Sequence, residues 1–172
     1  MYTFLALGSP HLGYVHENSP ITEAGMWLLR KLSKSESLSQ LSLLDASQDM
    51  RQSYVYQLSL KSGLEYFRNV LLVASHQDTY VPHSSAMIQL TPDNLSKKGI
   101  LANEMATNLL AKLEAVNLVR FHVNFVASTM RWSVDQLIGR SAHISFLDQP
   151  LYIHMLTYVY HDYFARSPSP IT

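Results

Sequence analysis

The sequence contains no cysteine among its 172 residues. This absence excludes disulfide bonds, thiolate nucleophiles and cysteine-ligated zinc sites. The sequence also lacks any apolar run near the ~20 residues of a membrane span, and it has no basic segment leading into an apolar one near its start. Its 13 basic and 13 acidic residues balance, so no excess of charge indicates nucleic acid as a partner. We therefore expect a cytoplasmic protein with no transmembrane segment and no nucleic-acid partner.

Apolar residues make up 47% of the chain, enough for a sizeable core in one domain. Two short apolar runs predict buried strands at residues 2–7 and 70–74, and alternation predicts a half-buried edge strand at 119–126. Helical periodicity links and follows these strands. It predicts helices at residues 20–32, 38–44, 49–60, 96–113 and 151–164. The order predicts an α/β fold with three layers and about three parallel strands.

An aspartate and a histidine follow predicted strands in the order that α/β-hydrolases use. Asp78 comes directly after the strand at 70–74, and Pro82 stiffens the exit of its loop. His143 follows 65 residues later, enough for a crossover helix and another strand, and Gly139 permits a tight turn before it. In a serine hydrolase the carboxylate orients the histidine, which takes the proton of the nucleophile. The pair therefore suggests an acid–histidine relay.

Each residue also has a structural interpretation. An aspartate after a strand often forms a turn or caps a helix, and a histidine beside an aliphatic residue is often only hydrogen-bonded. From position alone, the relay and the structural alternative remain about equally supported.

With these residues in place, the chain resembles the serine esterase, or lipase-like, domain of the α/β-hydrolase superfamily. It is most similar to the C-terminal domain of the large "family with sequence similarity" proteins. The resemblance rests on residues 5–13, 66–78 with 80–82, and 139–144. It implies that Asp78 is the relay acid, that His143 is the relay histidine, and that the three strands are the last three of the sheet. Residues 1–166 would then form the C-terminal part of that domain, and 167–172 a disordered tail.

The sequence departs from this family at the nucleophile. It contains no Gly-x-Ser-x-Gly elbow. Ser9 in Gly8-Ser9-Pro10 is a poor substitute, because the residue after the nucleophile donates its N–H to the oxyanion and proline has none. One such donor is worth ~3–4 kcal/mol of transition-state stabilisation. We therefore expect the nucleophile half of the domain to be missing from this chain.

Two further features bear on ligand and metal binding. His11, in the segment from Gly8 to Gly13, is a candidate substrate-binding residue, although this segment could equally be a strand-to-helix turn without chemistry. His76, Asp78 and His83 match no compact pattern of metal ligands, so we predict no metal site and no cofactor.

Two functions remain open. The complete domain would hydrolyse carboxylic esters, with lipids as one candidate class, through an acyl-enzyme, and this chain alone would be inactive. Alternatively, the chain is a non-catalytic module that associates with a partner through an exposed edge of its sheet.

Overall fold

Three parallel strands form the sheet of this protein. The computed structural model describes residues 2–14, 36–78, 80–93, 95–125, 143, 146–147 and 149–165. The strands are β1 (Thr3–Leu7), β2 (Asn69–Ala74) and β3 (Asn117–His122), and their order in the sheet is β1-β2-β3. Both pairings are parallel, so the polypeptide must cross over between consecutive strands. This arrangement, flanked by helices, confirms the predicted α/β class.

β2 is the central strand, and all six of its residues are buried. Its sequence is almost uniformly apolar because helices and loops cover both faces of a parallel sheet. The register places Leu71 beside Leu5 of β1 and Val119 of β3. The edge strands are less covered, since only one of the five residues of β1 and none of β3 is buried.

Six helices with described bounds accompany the sheet. The longest, at 17 residues, begins after Ser96, whose Oγ accepts a hydrogen bond from the N–H of Gly99 at 2.9 Å. Its buried face includes Leu101, Met105 and Leu109, at the spacing of one helical stripe. The helices are α1 (Glu36–Leu41), α2 (Tyr54–Leu60), α3 (His83–Ala86), α4 (Lys97–Leu113), α5 (Pro150–Val159) and α6 (His161–Phe164), and 3-10 turns occupy Met50–Gln52 and Leu64–Tyr66.

Two predicted helices are interrupted by contacts that periodicity does not reveal. The segment 49–60 divides at Ser53, where the backbone is extended, and the carboxylate of Asp45 accepts a hydrogen bond from the N–H of Tyr54 at 2.8 Å. The Asp45 side chain stabilises the start of a separate helix, α2, because it accepts from one of the N–H groups that have no partner within that helix. The segment 151–164 divides at Tyr160, whose ring packs edge-on against Phe121 at 4.4 Å between centroids.

The third strand lies slightly earlier than the alternation predicted. β3 pairs over residues 117–122, and its last partner is the end of β2, because His122 lies opposite Ala74. The last bond between the two strands runs from the N–H of Val123 to the carbonyl of Ala74 at 2.9 Å. The predicted helix at 20–32 and the predicted tail at 167–172 lie outside the described residues. Over the part of the chain that is described, every helix is too short or too polar to cross a lipid bilayer.

Candidate active site

The candidate site lies where β1 and β2 end at the same edge of the sheet. Gly8 follows β1, and its N–H donates to the carbonyl of Val73 at 2.8 Å, which extends the parallel ladder by one bond. Asp78 comes four residues after the end of β2. In open parallel sheets, ligands and catalytic groups collect at this carboxyl edge. The ladder therefore brings the two loops together.

The carboxylate of Asp78 is buried and held by its own loop. Its side chain is only 3% exposed. Oδ1 accepts hydrogen bonds from the N–H groups of Tyr80 at 2.8 Å and Val81 at 3.1 Å. These bonds fix the plane of the carboxyl group and leave Oδ2 for a different partner. The turn-forming role and the acid role proposed from the sequence therefore belong to different oxygens of one side chain.

His143 supplies the partner for Oδ2. Its Nδ1 lies 2.8 Å from Oδ2 of Asp78, although the two residues are 65 positions apart in the chain. The hydrogen bond to Asp78 raises the pKa of His143 above its usual value, against a smaller lowering by burial. Because a carboxylate only accepts, Nδ1 carries the proton, and Nε2 of the neutral ring is free to accept one. The side chain is 34% exposed, so Nε2 can be approached from solvent.

Gly8 packs directly against this pair. Its φ is +58°, in the left-handed region that favours glycine. A Cβ at this position would lie 3.3 Å from Oδ2 of Asp78 and 3.4 Å from Nδ1 of His143. Both the backbone conformation and the close approach therefore require a residue without a side chain at the wall of the site.

Ser85 of α3 holds the segment from Gly8 to Gly13 in place. Its buried Oγ accepts from the N–H of Leu12 at 3.0 Å and donates to the carbonyl of Gly13 at 2.8 Å. The N–H of Gly13 also closes a turn onto the carbonyl of Pro10 at 3.1 Å. The segment is thus a tight turn anchored to the helix that follows Asp78. This result agrees with the turn alternative considered from the sequence.

His11 lies in this turn and lines a cavity of about 770 Å³. The cavity also includes the side chains of Phe4, Leu41 and Leu58, and its wall is mainly apolar. Nε2 of His11 is buried and has no hydrogen-bond partner within the described residues. Burial lowers the pKa of His11 to about 4, so the ring is neutral at physiological pH. His11 therefore contributes a neutral ring to the lining of an apolar cavity.

A second set of contacts supports the side of the site that carries His143. The ring of Phe146, three residues beyond the histidine, is fully buried and packs edge-on against Phe125 at 5.2 Å. Phe125 is fixed in turn by the amide of Gln77, which donates to its carbonyl at 2.9 Å and accepts from its N–H at 2.6 Å. These contacts connect the loop of Asp78 to the segment that presents His143.

Neither Ser9 nor Ser75 is arranged as a nucleophile. Ser9 is followed by Pro10, which offers no N–H to an oxyanion. Ser75 is 1% exposed, and its Oγ accepts the N–H of Gln77 at 3.1 Å. Within the residues that the structure describes, no serine hydroxyl is hydrogen-bonded to Nε2 of His143.

Sequence reasoning had identified Asp78, His143 and His11, but it missed three residues that shape the site. These are Gly8, Ser85 and Tyr14. The pKa of Tyr14 is raised mainly by burial and also by the charge of Asp78, which places this phenol in the electrostatic environment of the acid. Gly8 could have been found, since a glycine directly after a strand often marks a close approach. Ser85 and Tyr14 carry no comparable local signal.

Residues 1–92 match the family described as "Putative serine esterase". The match covers β1, β2, α3 and Asp78, and it ends before His143. No solved structure matches the chain.

Proposed function

The chain belongs to the Putative serine esterase family, and from that premise we propose that Asp78 and His143 are the acid and histidine of an ester-hydrolysing relay. The observation that carries this proposal is the 2.8 Å contact between Nδ1 of His143 and Oδ2 of a buried carboxylate. The contact supports the relay because it uses the ring nitrogen that leaves Nε2 directed away from the acid.

The roles follow from this geometry. Nε2 of His143 takes the proton of the attacking hydroxyl as the tetrahedral intermediate forms, and it gives that proton to the leaving alcohol as this intermediate collapses to the acyl-enzyme. It then takes a proton from the water that attacks the acyl-enzyme, and it returns this proton to the nucleophile as the acid is released. Asp78 stabilises the resulting imidazolium and holds the ring in the required tautomer. Because Tyr80 and Val81 fix the other carboxylate oxygen, Asp78 can do so without reorganising during the reaction.

We propose that the nucleophilic serine comes from outside this sequence. The absence of a Gly-x-Ser-x-Gly elbow and the poor suitability of Ser9 support this assignment. The chain alone is then inactive, and the relay becomes productive only when a serine and its oxyanion donors are placed beside Nε2.

The substrate we propose is a carboxylic ester with an apolar acyl group, which includes lipid esters. The mainly apolar cavity that His11 lines supports this class, and the neutral His11 ring adds no charge to its wall. His11 is accordingly proposed as a substrate-binding residue.

The relay can be tested on the chain itself. Asp78→Asn keeps the oxygen that accepts from Tyr80 and Val81 but removes the charge beside His143. We expect the pKa of His143, followed by NMR titration, to fall in this variant. His154→Gln, an exposed change on α5, is the matched control and should leave the titration unchanged. An unchanged pKa of His143 in folded Asp78→Asn would contradict the relay.

The nucleophile can be tested with activated esters and a fluorophosphonate. The purified chain should neither release product above the background rate nor acquire a covalent adduct detectable by mass spectrometry. Turnover that disappears in His143→Ala would show instead that a serine within this chain is the nucleophile.

A second candidate function is association through β1. Within the described ranges β1 pairs only with β2, so its other side presents unpaired backbone groups. We propose this edge as the surface that receives the segment bearing the nucleophile or, in a non-catalytic module, another protein. Size-exclusion chromatography over a concentration series tests it, and a monomer at all concentrations would argue against an edge that self-associates.

A further inference from the structure

Three histidines from separate segments meet at the carboxyl edge of β2 and β3. His76 follows β2, His83 begins α3, and His122 ends β3. One ring nitrogen from each lies within 4.8 Å of the others, and Nε2 of His83 is 2.9 Å from Nδ1 of His122. The ring of His83 stacks on that of His76 at 3.7 Å between centroids. No other residue of the described ranges takes part in this cluster.

The backbone that presents these rings is held by contacts from several directions. The sheet register places His122 opposite Ala74, so the ladder itself brings it to the loop of His76. The amide of Gln77, next to His76, is hydrogen-bonded twice to Phe125, beyond His122. Arg120 of β3 donates to the carbonyls of Met87 and Ile88, which end the turn begun by α3. Two of the three segments are thus fixed to β3, which carries the third.

We propose that His76, His83 and His122 bind one divalent transition-metal ion of the Zn²⁺ class, with solvent completing its coordination. Three imidazoles suit Zn²⁺, Co²⁺, Ni²⁺ or Cu²⁺, whereas Mg²⁺ and Ca²⁺ require oxygen ligands. Two nitrogens on a tetrahedral ion with ~2.0–2.1 Å bonds lie about 3.3 Å apart. The three rings lie within 18° of parallel, so metal binding requires them to turn until their nitrogens converge on the ion. His76 and His122 are exposed, which leaves the remaining position open to water.

The ligand set differs from the one considered from the sequence. Asp78 is not a ligand here, because its oxygens are used by Tyr80, Val81 and His143. His122 takes its place, and only the parallel register brings it close. The proposal does not depend on ester hydrolysis, and its test does not measure activity.

Zn²⁺ titration of the whole chain by calorimetry provides the test. We expect one saturable site per chain. His83→Gln should weaken it at least about tenfold, since even outer partners of metal ligands are worth about 10–100-fold in affinity. His154→Gln removes an exposed histidine outside the cluster and should bind as the unchanged chain does. Absence of a saturable site, or equal affinity in His83→Gln, would overturn the proposal.

A second variant and a second metal distinguish loss of a ligand from loss of the fold. His76→Gln changes an exposed loop residue and should weaken binding without altering the circular dichroism spectrum. Co²⁺ added to the unchanged chain should give the visible absorption bands of a four-coordinate complex, and the bands should be lost in this variant. Bands of equal intensity in both proteins would show that the metal is bound elsewhere.

Discussion

At the scale of single residues, Asp78 and Gly8 each have both a role in the backbone structure and a role in the candidate site. Asp78 closes its loop with Oδ1 and meets His143 with Oδ2. Gly8 ends a strand and leaves room for that pair. The same residues therefore fix the loop conformation and shape the proposed relay.

Gly8→Ala is predicted to disturb the pair through both space and conformation. A left-handed backbone costs a non-glycine residue about 1–2 kcal/mol, and the new methyl group would press on Oδ2 and Nδ1. We expect lower stability to urea and a pKa of His143 shifted back toward its usual value. Gly63→Ala is the matched control, because a Cβ there meets no atom within 4 Å. An unaltered titration of His143 in Gly8→Ala would contradict this packing.

His11 is predicted to make the protein sensitive to acid. Its pKa is lowered by burial to about 4 in the folded state, whereas an unfolded histidine titrates near 6.5. The unfolded state therefore binds more protons as the pH falls through about 6.5, and stability is lost until about pH 4. Between about pH 7.5 and pH 5, His11 alone lowers the free energy of unfolding by about 2 kcal/mol.

Urea unfolding at these two pH values measures the effect. In His11→Gln the loss of stability on acidification should be smaller by about 2 kcal/mol. The exposed change His154→Gln should leave it as large as in the original chain. Equal losses in all three proteins would show that His11 is not buried as a neutral ring.

His143 acts in the opposite direction. Its raised pKa means that its pair with Asp78 contributes stability fully below about 6.5, and this contribution is lost as the pH rises through the folded-state value. The proposed relay needs the neutral ring to accept a proton. The interaction that orients His143 therefore also moves the onset of the competent form to higher pH.

At the scale of elements, the short helix α3 organises the site. It follows the loop of Asp78, its Ser85 grips the turn after β1, and its first residue, His83, belongs to the histidine cluster. A helix of four residues has little stability of its own. These contacts determine the position of α3, and the bonds of Ser85 hold the turn that carries His11.

Ser85→Ala is predicted to loosen the turn that carries His11. The substitution leaves the buried N–H of Leu12 without a partner, which should cost about 1–3 kcal/mol of unfolding free energy. Amide exchange at Leu12 and Gly13 should accelerate. Ser84→Ala, the neighbouring change on the same helix, should leave the unfolding free energy within about 0.5 kcal/mol of the original and the amide exchange rates unchanged. Similar effects of the two substitutions would contradict the clamp.

At the scale of the whole molecule, the side of β1 that pairs with no strand in the described residues is the surface that we propose for a partner. The bonds that flank its ladder use the carbonyl of Tyr2 and the N–H of Gly8. Because backbone groups alternate along a parallel strand, the even-numbered residues face β2 and Leu5 directs its N–H and carbonyl outward. A strand added at this edge would pair with Leu5.

Leu5→Pro is therefore predicted to block association while retaining the ladder with β2. Proline removes the outward N–H and places its ring where a new strand would pair. If the chain self-associates through β1, light scattering after size-exclusion chromatography should show a smaller mass for Leu5→Pro. Leu5→Ala, which keeps the N–H, should behave as the original chain. Equal association of Leu5→Pro and Leu5→Ala would exclude this edge.

The sequence by itself determined the α/β class, the central strand and the presence of an acid after that strand, because each depends on local patterning. Val70 to Ala74 is apolar throughout, and only a strand covered on both faces needs such a run. Ser96 marks the start of α4 through its own hydrogen bond. The breaks at Ser53 and Tyr160 escaped this reasoning, since they involve Asp45 and Phe121, which lie outside the helical segments that the periodicity describes.

Only the tertiary structure decided which distant side chains share a site. The approach of His143 to Asp78, the space left by Gly8 and the meeting of His122 with His76 and His83 all depend on strand register and on loops anchored to one another. A sequence pattern records which residue types are present and how they are spaced. Contacts between separate crossover units depend on how these units pack, and one chain segment carries no local signal of another's position.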